Sequence, residues 1–455
     1  MRYVMAVLVA MMSGVAIAQP LPDDCDEITM LTAEQAKTLA DRKGTLSLNS
    51  LATITPEAAE ALSKHKGGLR LDGLTELSDE MAAAFASHEG GLSLDGLPTL
   101  TDRQAETLAK VRGRLSLNGL AELTDIQCDV FSERTDPVML ANVTKITDRL
   151  ALALTKQHPE HGHLYLMGLT TLSDIQAESL GKAERGDLYL DGLATLSPKS
   201  AEALAGHKGG YLTLNGLIEI SPEVAAALAK HTGGLNLNGL NELPAEAAEA
   251  LANSKRGIGL DGLAAISDKV AVVLAGCKGY LSLDGLTVLT DQQAAALASH
   301  KGSLFLNGLT VLTDQQAAAL ATHEGNLSLN GLTVLKNASL AAALAKNPYT
   351  LQLNRLVTLS DSAAESLAKH KGWLKLNSLR KLTDGQAQAL ASHKGHLWLD
   401  GVFTLSDRQA ELLAEHEDRL YLEGLRVLSS KAAADLRVNP KISIPPELDR
   451  KKATE

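Results

Sequence analysis

Hydrophobic residues recur on a fixed beat along most of this chain, and two blocks show it plainly. Residues 281–303 read LSLDGLTVLTDQQAAALASHKGS, and residues 304–326 read LFLNGLTVLTDQQAAALATHEGN. Counting Leu281 as position 1, Leu281 and Leu283 alternate with Ser282 and Asp284, the period-two pattern of a short half-buried strand. Gly285 at position 5 permits a bend, and Leu286 and Leu289 point inward along the turn. Thr290 is placed to cap a helix, with Gln293 three residues later completing a capping box. Asp291 suits the positive end of the helix dipole. Ala294, Leu297 and Ala298 form a narrow apolar stripe. His300 and Lys301 are assigned to the last helical turn and Gly302 to the C-cap. Each block is predicted to be strand, turn, short helix, turn.

A unit of this size cannot bury its own apolar face, but stacked copies can. Strand starts recur at Leu46, Leu69, Leu92, Leu115, Val138, Leu164, Leu188, Leu212, Leu235, Ile258, Leu281, Leu304, Leu327, Leu351, Leu374, Leu397 and Leu420. The expected fold class is an α/β repeat solenoid, a single domain of short parallel strands and short helices. The strands are expected to pair in register as one long sheet. Alanine in the helix stripe lets the helix lie close to the strands.

The organisation reads as follows. Residues 1–18 resemble a secretory signal, with Arg2, an apolar run and Ala16-Ile17-Ala18 before Gln19. The apolar run is too short to span a membrane. Residues 19–45 form an N-terminal capping half-repeat, and residues 46–441 form the solenoid of about 17 units. An irregular section near 121–163 has Phe131 for the helix leucine and an insert near His158 to His163, which predicts a local bulge or altered curvature. Residues 442–455 are a closing strand and charged tail, where Pro445-Pro446 blunts the last edge. The expected location is exported, periplasmic or extracellular.

The repeat resembles the leucine-rich repeat family, whose motif is L-x-x-L-x-L-x-x-N-x-L. Leu281, Leu283 and Leu286 fall on its second leucine, third leucine and asparagine. The resemblance implies a curved solenoid whose concave strand face binds partners. The departure is leucine at the asparagine position, in Leu74, Leu97, Leu286 and Leu309. The backbone groups that asparagine serves then need another partner. Asn49, Asp72, Asp95, Asn307 and Asn330, at position 4, stand at the strand end to supply it.

Composition narrows the function. Net charge is -11, which disfavours nucleic acid and anionic membrane surfaces. Cys25, Cys128 and Cys277 lie several repeats apart, too far for an internal disulfide. Cys25 is left to pair between chains. Histidine recurs at position 20, in His65, His88, His207, His231, His300, His323, His370, His393 and His416. Ser254, Cys277 and Lys346 stand in for it elsewhere, so capping of carbonyls is the better reading than a metal ladder. His158, His161 and His163 form a sharper metal candidate, but their spacing matches no site signature. No cofactor is expected. No nucleophile–base pair or phosphate loop stands apart from the repeat, and the chain is read as no enzyme.

The binding candidates are aromatic. Tyr165, Tyr189, Phe305, Trp398 and Tyr421 occupy outward strand position 2, and Tyr211, Tyr280 and Trp373 precede their strands. Aromatics make up only 3% of the chain, so this concentration is informative. Edge-of-sheet packing between neighbouring repeats is the rival explanation. Recognition of a protein partner through the strand face is the leading function, with an envelope glycan or a structural envelope scaffold as alternatives. One conformational expectation follows at position 5, where Ser50, Arg355 and Ser378 replace glycine. A left-handed conformation would cost each about 1 kcal/mol. A turn that prefers glycine for space, with negative φ in at least some copies, is therefore expected.

Overall fold

The computed structural model describes residues 21, 24–157, 162–348, 350–446 and 448. The signal assigned to 1–18 lies outside them, as do His158, His161 and the end of the tail. The chain divides into two compact units, Met1–Gly192 and Leu193–Glu455.

In the first unit, strands Leu46–Ser47, Leu69–Arg70, Leu92–Ser93, Leu115–Ser116 and Val138–Met139 pair in parallel, leucine beside leucine until Val138. Leu164–Tyr165 pairs in the same way with Leu188–Tyr189. In the second unit, successive parallel pairs run from Tyr211–Thr213 to Leu327–Ser328. Another series runs from Leu351–Gln352 to Ile442–Ser443. A short helix follows each turn. Leu281, Leu283, Leu286, Ala294 and Leu297 are fully buried between the strand and helix layers. Thr290 accepts from the Gln293 amide, and the Gln293 side chain accepts from the Thr290 amide, completing the expected capping box.

One uninterrupted sheet does not form within the first unit. The ladder stops between Val138–Met139 and Leu164–Tyr165. Phe131 fills the leucine slot of the preceding helix and is fully buried. In the second unit the strand series breaks after Leu327–Ser328. There the pairing moves into the following turn, where Val334–Leu335 pairs with Thr358–Leu359.

The helix end also differs from expectation. The helix Asp291–Ala298 stops at a right-handed Ser299 cap, so His300 and Lys301 lie beyond it. Gly302 is not a left-handed cap, since among the described residues only Gly44, Gly113, Gly186, Gly257 and Gly279 have positive φ. A Cβ on Gly302 would fall 1.4 Å from the Gly279 carbonyl oxygen, so closeness to the previous repeat demands glycine. Position 5 follows the same logic, as expected. A Cβ on Gly285 would fall 2.1 Å from the Asp261 carbonyl oxygen. No non-glycine residue described has positive φ, so Ser50, Arg355 and Ser378 take negative values.

The position-4 side chains do replace the missing asparagine. Asp261 Oδ1 accepts from the Asp284 amide at 3.0 Å, Asp284 Oδ1 from the Asn307 amide at 2.8 Å, and Asn307 Oδ1 from the Asn330 amide at 2.8 Å. The first unit has the same ladder, from Asn49 to Asp72, Asp95, Asn118 and Ala141. Asp26, ahead of the first strand, occupies the equivalent place and accepts from the Asn49 amide at 3.0 Å.

Most of the histidines cap carbonyls, but of the preceding repeat rather than of their own helix. His300 Nδ1 lies 3.4 Å from the Ala275 oxygen and Nε2 3.1 Å from the Gly279 oxygen. His65, His323 and His416 repeat this two-sided contact. Arg134 fills the slot with its guanidinium on the Ala109, Val111 and Gly113 oxygens. One assignment shifts by a residue. The Asn347 amide donates to the Leu344 oxygen as His300 does to Leu297, so Asn347 and not Lys346 holds this slot. Cys128 and Cys277 are buried thiols, and half-buried Cys25 accepts from Arg42 Nη1 at 2.7 Å.

Candidate recognition surface

Side chains at position 2 alternate with the buried leucines and therefore stand on the open face of the strands. Register then decides which of them meet. Lys375 pairs with Trp398, and Trp398 with Tyr421. The Trp398 and Tyr421 rings stack with centroids 4.7 Å apart and planes within 10°. Lys375 comes from the opposite neighbour and holds Nζ 4.9 Å from the centre of the Trp398 ring. Both faces of Trp398 are thus covered, one by a ring and one by a cation. Trp373 and His396, each just ahead of its strand, complete the group. Trp373 lies 5.2 Å from His396 and 5.5 Å from Trp398 between centroids. His396 Nε2 is 3.5 Å from the Asp418 carboxylate. Trp373 is 49% exposed, an unusual exposure for so large an apolar side chain.

The other candidates do not join this group. In the first unit, Tyr165 and Tyr189 are register partners and stack at 4.7 Å and 14°. Tyr189 donates to Asp187 at 3.2 Å. Its hydroxyl pKa is pushed up to about 12, by burial first and then by the Asp187 charge. His163 lies 6.0 Å from the Tyr165 ring, with Nδ1 3.0 Å from the Asp187 carboxylate. Among the described residues, no group of three or more His, Cys, Asp or Glu is arranged to hold a metal ion. Phe305 stands between Ser282 and Ser328 in register, without a ring beside it on either strand.

Tyr211 and Tyr280 lie against strand glycines, although Tyr211 remains 43% exposed. A Cβ on Gly234 would fall 2.5 Å from the Tyr211 ring, and one on Gly257 would fall 2.3 Å from the Tyr280 ring. These strand glycines make room for the rings. Tyr280 also donates to Asn236 at 2.8 Å, and burial pushes its hydroxyl pKa up.

His396 and Lys375 were not singled out from the sequence. The signal for both is a column reading: aligned across repeats, they fall in the columns of Trp373 and Trp398.

Outside the two breaks, successive repeats return a leucine-framed parallel strand into register through a short helix, with a polar ladder at the strand end. This is a leucine-rich-repeat fold. No protein-family model and no curated protein matches the sequence. Solved structures do. A leucine-rich-repeat protein of Leptospira interrogans is similar at 20% identity and a TM-score of 0.43, over 91% of this chain and 98% of that one. TLR13, solved as a complex with ssRNA13, is similar at 18% identity and a TM-score of 0.47, over 90% of this chain and 64% of that one. Mouse RP105, solved as a complex with MD-1, is similar at 12% identity and a TM-score of 0.47, over 87% of this chain and 77% of that one. The repeat assignment rests on the register and the ladders, which need no comparison.

Proposed function

We infer that this chain is an exported, non-catalytic recognition protein whose strand face binds a protein partner. The observation that carries the reading is the Trp373–His396–Trp398–Tyr421 group. A sugar stacks its C–H face on an open aromatic face. Here the central ring has both faces filled, and a ridge of ring edges and an exposed indole is presented instead. Such rigid, amphipathic Trp and Tyr side chains beside cations are what protein interfaces use as anchors. Tyr165 and Tyr189 form a second, smaller ridge of the same kind. Among the described residues, no helix is long and apolar enough to cross a membrane.

The test is affinity capture from a cell-envelope extract, with chain from Gln19 onward as bait. The companion bait carries Trp373→Ala, Trp398→Ala and Tyr421→Ala. The expected result is a protein held by the first bait, not displaced by soluble wall polysaccharide, and bound at least about thirtyfold more weakly by the second. Equal retention by both baits, or capture of polysaccharide alone, would overturn the reading.

A further inference from the structure

The repeat supplies its own baseline, and one column departs from it. Position 7, in the turn after each strand, holds Ala264, Thr287, Thr310 and Thr333 in four successive repeats of the second unit. The next four repeats hold Val357, Arg380, Phe403 and Arg426. All four are exposed. Their backbones are tied in sequence, with the Phe403 amide on the Arg380 oxygen at 3.2 Å and the Arg426 amide on the Phe403 oxygen at 2.9 Å. The Arg380 guanidinium lies 4.7 Å over the Phe403 ring. Lys381 stands beside the column, and Arg355 two residues ahead of Val357. Arg355, Arg380, Lys381 and Arg426 make no ion pair among the described residues. The nearby carboxylates are engaged elsewhere, Asp400 with the Glu423 amide and Glu423 with Ser443.

Neither packing nor capping explains this column. Threonine or alanine serves the same turn in the four preceding repeats, and an exposed Phe between two arginines without ion pairs stabilises little. We propose that this turn edge of the last four repeats docks an acidic, extended polypeptide segment, its carboxylates on Arg380 and Arg426 and an apolar side chain against Phe403. This rests on the reading that the chain recognises protein, and it adds where the partner lies and what it carries. The spacing fits. Two repeats separate Arg380 from Arg426 by about 10 Å. An extended polyproline-type segment brings every third residue to one face at about 9 Å. Arginine suits the task because its planar fork meets a carboxylate with two hydrogen bonds.

The test measures binding of a labelled peptide with Glu at every third position and Leu and Pro between, against its Gln counterpart. The proteins are the chain from Gln19 onward, an Arg380→Glu/Arg426→Glu variant, and a control carrying the same charge change at exposed Lys255 and Lys278. The expected result is binding of the Glu peptide alone, weakened by salt and reduced about tenfold or more by the arginine variant only. Equal binding of the Gln peptide, no loss in the arginine variant, or a polyuronate bound as tightly as the peptide would each overturn the assignment. The two readings fail separately. If the arginine variant still holds the captured partner that the Trp398 variant loses, the turn edge is wrong and strand-face recognition stands.

Discussion

At the residue scale, one carboxylate shows how the repeat replaces a buried asparagine. Asp261 Oδ1 accepts from the Asp284 amide at 3.0 Å and also from the Ser282 hydroxyl. Asp261→Ala strands both donors and should cost about 1–3 kcal/mol, while Asp261→Asn keeps an acceptor and should cost far less. Urea unfolding of the two variants separates these outcomes. The ladder was legible in the sequence because position 4 is Asn or Asp in most repeats, with Ala141, Met167 and Glu423 as the exceptions. The reason for glycine at positions 5 and 22 was legible only in part. Spacing marks a required glycine, but the carbonyl of another repeat that leaves no room for Cβ appears only when copies are stacked. The same blindness misplaced the histidines. Their period was plain, but the carbonyls they meet belong to residues 21 and 25 positions earlier.

Those histidines give the fold a pH dependence with a definite sign. Burial pushes the pKa of His231, His300 and His393 below the ordinary 6.5, against the smaller upward pull of the carbonyls. As pH falls below that value, the unfolded chain takes up protons that the folded chain resists. Stability is therefore full above about pH 6.5 and is lost as pH drops toward the depressed native values. The urea midpoint should fall between about pH 8 and pH 5, and His300→Gln should flatten the change. A midpoint that rises on acidification would show the imidazoliums to be the favoured form.

At the element scale, the short helices are fixed at their beginnings more firmly than at their ends. The Thr290–Gln293 box was readable from local sequence because both partners lie within one turn. Its second task was not. Gln293 Nε2 reaches the Ile266 oxygen of the previous repeat at 2.9 Å, and Gln316 reaches Leu289 in the same way at 2.8 Å. One side chain thus caps its own helix and staples the neighbouring turn. Gln293→Glu keeps the acceptor of the box and removes the donor of the staple. A loss of about 1 kcal/mol is expected in chemical denaturation, and an unchanged stability would show the staple to be incidental. Strand pairing was predicted as parallel and in register, which holds. Its interruption after Leu327–Ser328 was not foreseen, because the pairing moves to a turn whose residues carry no strand signal of their own.

At the scale of the whole molecule, the repeats form a uniform scaffold with a few departures, and the departures carry the functional reading. Ser, Thr, Asn and Ala recur at the outward strand and turn positions. They change to Lys375, Trp398 and Tyr421 on the strands and to Arg380, Phe403 and Arg426 in the turns of the same repeats. The aromatic residues were legible from composition and column position. Which of them act together was not, because that depends on ring stacking and on Lys375 covering Trp398. Radical footprinting of the captured complex tests the central claim most directly. With the partner bound, oxidation of Trp373, Trp398 and Phe403 should fall, while Tyr211, packed on its strand glycine, should be unaffected. Unchanged oxidation at Trp373 and Trp398 in a saturated complex would contradict recognition through this face.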